Sequence, residues 1–290
     1  MNVRSSAVEG AWRRHRRWSI AAGNGRARLD RWRRVNLILL AVGAVLGAVA
    51  AQPSWPRGLT ATAAGLAAFA LATAGIVQQR FLNADEVARW TGARAASEAL
   101  KTEVFSYLAG VAPYDGTDRD RVLDTQVEAV QDKAAALMVD LQRTPPDDRA
   151  LPEVHDLSSY VANRASQQAN WHRSKINEHV QAARRIRWAE LAATLTAALL
   201  GAIGAAFDTR GLAVWIGVAT TIGAALAAHL SATQHDRIAA SYATTADRLD
   251  LLIEHLPAEP DAGIRAQFVA DVESRLAAQN ESWLGFFTPR

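Results

Sequence analysis

Cysteine is absent from this 290-residue chain, which excludes disulfide bonds and thiolate metal sites. Recognisable catalytic motifs are absent as well. The sequence has no Walker-type phosphate loop, no HExxH, no GxSxG and no carboxylate pair framed by strand ends. We therefore expect a protein that is not an enzyme and that uses no cofactor.

A large excess of one charge is also missing. The formal net charge is only +3, and the basic residues cluster beside apolar runs instead of forming a separate patch. Proteins that bind nucleic acid by their charge usually carry such a patch. We expect no nucleic-acid partner.

Long hydrophobic runs are what the chain does have. Half of its residues are hydrophobic, and they concentrate in four runs at 35–51, 59–77, 191–207 and 212–230. Each run is long enough for a helix to cross the ~30 Å hydrocarbon core of a bilayer. A buried helix of a soluble protein is usually shorter and has a polar stripe. The pattern predicts an all-α protein with four transmembrane helices and the lipid bilayer as a partner.

The four runs form two similar hairpins. Leu46-Gly47-Ala48 matches Leu200-Gly201-Ala202, and Arg57-Gly58-Leu59 matches Arg210-Gly211-Leu212, so one unit recurs after about 153 residues. A competing interpretation reads Arg33-Arg34 and the first run as a twin-arginine signal peptide, whose cleavage would leave three spans. The repeat favours a retained span, because the upstream run is followed by a second span as in the downstream copy.

The remaining segments are predicted to be helical. Residues at alternating steps of three and four from Trp90 to Val111 form a seam for packing against another helix. They lie on a helix that is expected to continue from the second span to about residue 109. Asp118 is predicted to cap the next helix, and a single helix is expected from Glu153 through Arg187 into the third span. We divide the chain into a basic cytoplasmic arm (1–34), a first hairpin with exit helix (35–112), a helix and linker (113–152), a second hairpin with entry and exit helices (153–256) and an amphipathic helix (257–290).

Basic residues predict the orientation of the spans. Arginines flank the outer ends of both hairpins, whereas the two hairpin turns hold only Arg57 and Arg210. Positive charge is retained on the cytoplasmic side. We expect a multi-pass protein of a bacterial inner membrane with both termini in the cytoplasm.

Small residues at four-residue spacing suggest that the spans pack against each other or against further copies of the chain. The downstream hairpin also carries the more polar side chains, which are candidate pore-lining residues. These are Glu190, Thr194, Thr220, Thr221 and His229. His172 and His179 are one heptad apart, but no ligand partner is apparent at metal-binding spacing, and we interpret them as structural.

Tyr160, Arg164, Gln167, Trp171 and Lys175 follow one face of a regular helix and are candidates for a cytoplasmic polar network. Together with Tyr242, Ala246 and Leu249 after the second hairpin, they resemble the SLATT domain, a two-transmembrane effector found beside SMODS nucleotidyltransferases and SLOG sensors. The first hairpin resembles a second, more diverged unit. The resemblance implies a membrane effector of bacterial conflict systems that responds to a nucleotide second messenger or a sensor protein.

Two functions remain open at this stage. One is a homo-oligomeric channel or pore that favours cations and is lined by the downstream hairpin. The other is a membrane-anchored helical module that recruits a soluble partner without forming a pore. The absence of any charged residue in the middle of a span favours the second function, because channels frequently need one.

Overall fold

The computed structural model describes residues 5–147, 149–207, 209 and 211–287. The chain is 84% helical, and no strand occurs in that part of it. Four of its helices are long and apolar enough to span a membrane. The predicted all-α class and the four spans are confirmed. The turn arginine at position 210 lies outside the described residues.

Ten α-helices account for most of the described chain. They are α1 (Ser6–Ala50), α2 (Arg57–Phe81), α3 (Ala84–Ala109), α4 (Arg119–Lys133), α5 (Met138–Gln142), α6 (Leu157–Tyr160), α7 (Gln167–Phe207), α8 (Leu212–Thr233), α9 (His235–Glu254) and α10 (Ala262–Gly285). A 3₁₀ turn, Ala135–Leu137, precedes α5, and a π-helical turn, Val161–Ser166, joins α6 to α7.

The exit from the first hairpin differs from the prediction. The helix expected to continue from the second span is interrupted between Phe81 and Ala84. There the side-chain oxygen of Asn83 accepts a hydrogen bond from the backbone N–H of Glu86 at 2.9 Å. Asp85 and Glu86 supply negative charge to the first turn of α3. This local capping starts a new helix and explains the break.

The second hairpin repeats this arrangement. Its entry helix starts at Leu157, slightly later than expected, because Asp156 and Ser159 form a capping box there. Its exit is interrupted at Gln234, which adopts left-handed backbone angles with φ of 52°. A long entry helix, two spans, an interruption and an exit helix therefore occur twice in order.

Contacts divide the chain into two compact units, each built from several stretches. Unit 1 comprises Met1–Arg26, Val87–Glu178 and Arg237–Arg290, and unit 2 comprises Ala27–Glu86 and His179–Asp236. Unit 2 contains the four hydrophobic runs. Unit 1 contains α4, α5, α6 and α10, most of α3 and α9, and the first parts of α1 and α7.

The core of unit 1 follows the predicted seams. Every position of the α3 seam is buried, namely Trp90, Ala93, Ser97, Leu100, Val104, Tyr107 and Val111. Leu123 and Val127 of α4 are buried as well. Asp118 occupies the N-cap position of α4, but its carboxylate makes no capping bond and pairs instead with Arg121 at 2.9 Å. The predicted N-cap position is confirmed, since the backbone carbonyl of Asp118 accepts the first helical bond from Val122 at 3.1 Å.

Unit 2 is held by small residues and aromatic contacts. A Cβ atom added to Gly43 of α1 would lie 2.6 Å from Leu71 Cδ2 of α2, so these two helices approach closely. Trp32 stacks on Phe81 with ring centroids 4.1 Å apart. Large apolar side chains such as Phe69 are exposed at the surface of the unit. This surface suits a lipid environment.

Candidate functional site

A buried ion pair connects two distant helical segments of unit 1. Arg164 lies in the π-helical turn and is 1% exposed, while Glu273 of α10 is 5% exposed. The two side chains form two parallel bonds, Nε to Oε1 at 2.8 Å and Nη2 to Oε2 at 2.6 Å. This bidentate geometry is the strongest arrangement for a guanidinium and a carboxylate.

The Glu273 carboxylate accepts two further hydrogen bonds. Tyr160 donates its hydroxyl to Oε1 at 2.9 Å, and Thr102 of α3 donates to Oε2 at 3.0 Å. Four donated bonds therefore compensate for the removal of this carboxylate from water. Burial and the adjacent Glu273 charge raise the pKa of the Tyr160 hydroxyl, so it remains a donor at neutral pH.

The surroundings of Arg164 are apolar on one side and charged on the other. Its guanidinium carbon lies 4.4 Å from the centre of the Phe105 ring, in a cation–π contact. Its Nη1 atom is buried without a hydrogen-bond partner among the described residues. Burial opposes ionisation of Glu98, but Lys101, Arg94 and Arg164 together outweigh it and lower the Glu98 pKa.

This network can fix the relative positions of α3, of α10 and of the segment formed by α6 and the π-helical turn. Removing one member of a buried pair leaves the other charge uncompensated, which typically costs about 3–5 kcal/mol. Among the described residues, no three His, Asp or Glu side chains lie close enough to hold a metal ion. The arrangement serves as a connection between helices.

The structure includes only part of the predicted cytoplasmic network. Tyr160 and Arg164 belong to it, whereas Gln167 and Trp171 are exposed and Lys175 binds Glu178 at 2.6 Å. The π-helical turn contains one residue more than an α-helical turn, which moves the buried face by one position along the chain. His172 is therefore buried in place of Trp171.

Sequence reasoning missed Glu273 and Thr102. The signal for Glu273 was a charged residue on the apolar face of α10, beside Val272 and between Val269 and Leu276. A charge at such a position usually has a buried partner. The partner, Arg164, is distant in sequence, and the single sequence gives no indication of that pairing.

The candidate pore-lining residues lie at the surface of unit 2. Thr194, Thr220 and Thr221 are exposed, while Glu190 and His229 are partly buried. The hydroxyls of Thr220 and Thr221 each donate at 2.8 Å to the carbonyl four residues earlier on the same helix. These hydroxyl donors are therefore satisfied within the helix, and one face of each oxygen remains available to other groups.

The two histidines singled out in the sequence are buried in different surroundings. His172 donates from Nδ1 to the carbonyl of Gln168 at 2.8 Å and packs edge-on against Tyr242. In unit 2, His179 Nδ1 lies 2.8 Å from Nδ1 of His235, so one ring donates and the other accepts. Both histidines contribute to packing between helices.

Comparison with known families gives two matches. The SLATT_1 family, described as SMODS and SLOG-associating 2TM effector domain 1, matches residues 160–283. DUF4231, a family of unknown function, matches residues 16–121. Each match contains one hairpin, and their order agrees with two tandem units. No curated protein and no solved structure matches the chain.

Proposed function

We propose that this protein is an oligomeric channel or pore that acts as a membrane effector, because residues 160–283 match the SLATT_1 family, a two-transmembrane effector domain of conflict systems. Identical copies assemble in a bacterial inner membrane, with both termini in the cytoplasm. Cations are the favoured permeant species. The protein acts on the membrane and catalyses no reaction.

The surface of the third span carries this proposal. In α7 no residue of the most hydrophobic 18-residue window is buried within the chain. Leu195 is 59% exposed and Leu199 is 61% exposed, so most of this helix is available to lipid or to another copy. A helix built to pack only within its own chain would bury one face.

Buried positions in the spans indicate where a path for ions would lie. On α2 they are Ala63, Ala67, Ala70, Ala74 and Val77, and on α8 they are Val218, Ala219 and Gly223. These side chains are small and apolar and offer no polar lining between the helices of one chain. The polar candidates are exposed or partly buried, so the proposed pore runs between copies.

The test is reconstitution of the purified full-length protein into planar bilayers. We expect discrete cation currents and an oligomeric particle of defined mass in nanodiscs. Empty bilayers and heat-denatured protein are the controls. A well-folded oligomer that passes no current, with and without added nucleotides, would contradict the proposal.

A membrane-anchored interaction module is the second candidate. Its support is that the hydroxyls of Thr194, Thr220 and Thr221 are bonded to their own helices, as in ordinary lipid-facing spans. On this alternative the purified protein would be a monomer or dimer without an opening. Its hairpins would remain closed in cryo-EM maps under all conditions that activate the effector.

A further inference from the structure

A basic groove lies between α9 and α10 in unit 1, and neither Arg164 nor Glu273 lines it. It encloses about 470 Å³, within the range of roughly 300–1,000 Å³ that is typical of small-molecule sites. Most of its polar lining comes from arginine and hydroxyl side chains. These are Arg237, Ser241, Thr244, Thr245, Arg248, Arg275 and Ser282.

Helical spacing explains how one groove collects these side chains. On α9, Arg237, Ser241 and Arg248 are separated by four and seven residues, which places them on one face. On α10, Arg275 and Ser282 are separated by seven residues and share a face. The groove is therefore lined by one face of α9 and one face of α10.

The groove has positive charge without matching negative charge. No carboxylate lines it, and no ion pair engages Arg237, Arg248 or Arg275 within the described chain. By contrast, Arg173 pairs with Asp250 elsewhere on α9. Three guanidinium groups that share a groove repel each other, and a bound anion would relieve this repulsion.

Gln279 provides an independent indication of a ligand. It lines the groove, is 8% exposed, and its Nε2 atom is buried with no hydrogen-bond partner among the described residues. A buried donor without a partner costs about 1–3 kcal/mol, and a ligand oxygen can satisfy it.

We propose that the α9–α10 groove binds a phosphate-bearing ligand. The guanidinium groups form charge-assisted bonds to phosphate oxygens, and the hydroxyls and the Gln279 amide complete the coordination. Ala240, Ala278 and Phe286 form an apolar part of the wall that accommodates the remainder of the ligand. Two sources supply this chemistry, namely a soluble nucleotide and an anionic lipid headgroup.

The experiment measures binding to the full-length protein in nanodiscs of phosphatidylcholine. One arm titrates a fluorescent ATP analogue, and the other adds vesicles that contain phosphatidylglycerol. The variants Arg237→Gln, Arg248→Gln and Arg275→Gln are compared with Arg265→Gln, which removes the same charge from an exposed position of α10 outside the groove. We expect each groove variant to weaken binding about tenfold and the control to bind as wild type.

Binding of the nucleotide that depends on the groove arginines supports the proposal and assigns a soluble ligand. Binding only to phosphatidylglycerol vesicles, with the same dependence, supports it and assigns a headgroup. No binding in either arm, or equal loss in Arg265→Gln, overturns it. An effect of the ligand on a pore would rest on the proposed function. The binding assay measures no current, so its result does not depend on whether the protein forms a pore.

Discussion

At the scale of single residues, Glu273 has the most restrictive surroundings. Its carboxylate is buried on the apolar face of α10 and accepts four hydrogen bonds from Tyr160, Arg164 and Thr102. Replacing a buried ion pair by apolar groups is often neutral, whereas removing one partner is costly. The pair therefore serves to fix the arrangement of helices more than to increase stability.

We predict that Glu273→Leu lowers the free energy of unfolding by about 3–5 kcal/mol, because it leaves Arg164 buried without a counter-charge. The double variant Arg164→Met with Glu273→Leu should recover much of this loss. Thermal unfolding in one detergent, followed by tryptophan fluorescence, measures both.

The matched control for this experiment is Asp118→Asn, which breaks the exposed pair with Arg121. Exposed pairs contribute about 0–1 kcal/mol, so its melting temperature should stay near that of wild type. A Glu273→Leu protein that melts like this control would show that the buried pair is unimportant.

The buried side chain of His15 should make the free energy of unfolding depend on pH. Its Nδ1 bonds to the carbonyl of Ser97 at 2.8 Å, and burial lowers its pKa to about 4. The unfolded chain, with a histidine pKa near 6.5, binds a proton that the folded chain does not bind between pH 6.5 and 4. Stability therefore falls by about 2 kcal/mol as the pH is lowered from 7 to 5.

Thermal unfolding at the two pH values measures this effect. We expect a smaller loss in His15→Gln than in wild type, since glutamine does not titrate in this range. The change in stability between the two pH values is determined separately for each protein. An effect of the substitution that is the same at both pH values therefore cancels. Equal losses in the two proteins would exclude His15 as the source.

Residue-level prediction succeeded where helical periodicity held and failed where the backbone changed it. Tyr160 and Arg164 precede or lie within the π-helical turn and were identified as network members. Gln167 and Trp171 follow it and are exposed. The prediction assumed a regular α-helix, and the spacing of side chains in the sequence does not show that the turn at 161–166 contains one extra residue.

At the scale of helices, the approach of α1 and α2 depends on Gly43. We predict that Gly43→Val lowers the melting temperature, because its side chain would clash with Leu71 and separate the helices. Gly47→Val is the matched control, since nothing lies within 4 Å of a Cβ atom there. Both substitutions have the same intrinsic effect on helix propensity.

Combining Gly43→Val with Leu71→Ala should restore part of the stability by removing the clashing atoms. Melting in the same detergent measures all three variants. If Gly43→Val and Gly47→Val lowered the melting temperature equally, close packing at Gly43 would not be responsible.

Helix identity was easier to predict than helix boundaries. The α3 seam is buried throughout because its three- and four-residue spacing reflects one continuous packing surface. The break before α3 had a visible signal in Asn83 and the acids after it. The left-handed residue Gln234 had none, because glycine or asparagine usually occupies that conformation.

At the scale of the whole molecule, the proposed pore predicts a role for Glu190, which directly precedes the third span within α7, at the end that the proposal places in the cytoplasm. Its carboxylate would raise the local concentration of cations, so Glu190→Gln should lower cation conductance most strongly at low salt. Single-channel currents at 10 mM and 1 M salt measure this effect, because the screening length falls from about 30 Å to about 3 Å.

Glu178→Gln is the control for Glu190→Gln, since it removes the same charge about three turns earlier on α7. We expect its currents to match wild type. If Glu190→Gln has no effect while Asn36 or Thr73 variants change ion preference, the upstream hairpin lines the pore instead.

Because each chain contains two hairpins, any assembly of identical chains contains an even number of hairpins. Every copy contributes one hairpin of residues 35–77 and one of residues 191–230, so the two types are always present in equal numbers. A closed ring of identical chains therefore has an even number of hairpins, and its rotational order is half that number. Odd-numbered rings of hairpins, which single-hairpin chains can form, are inaccessible to this protein.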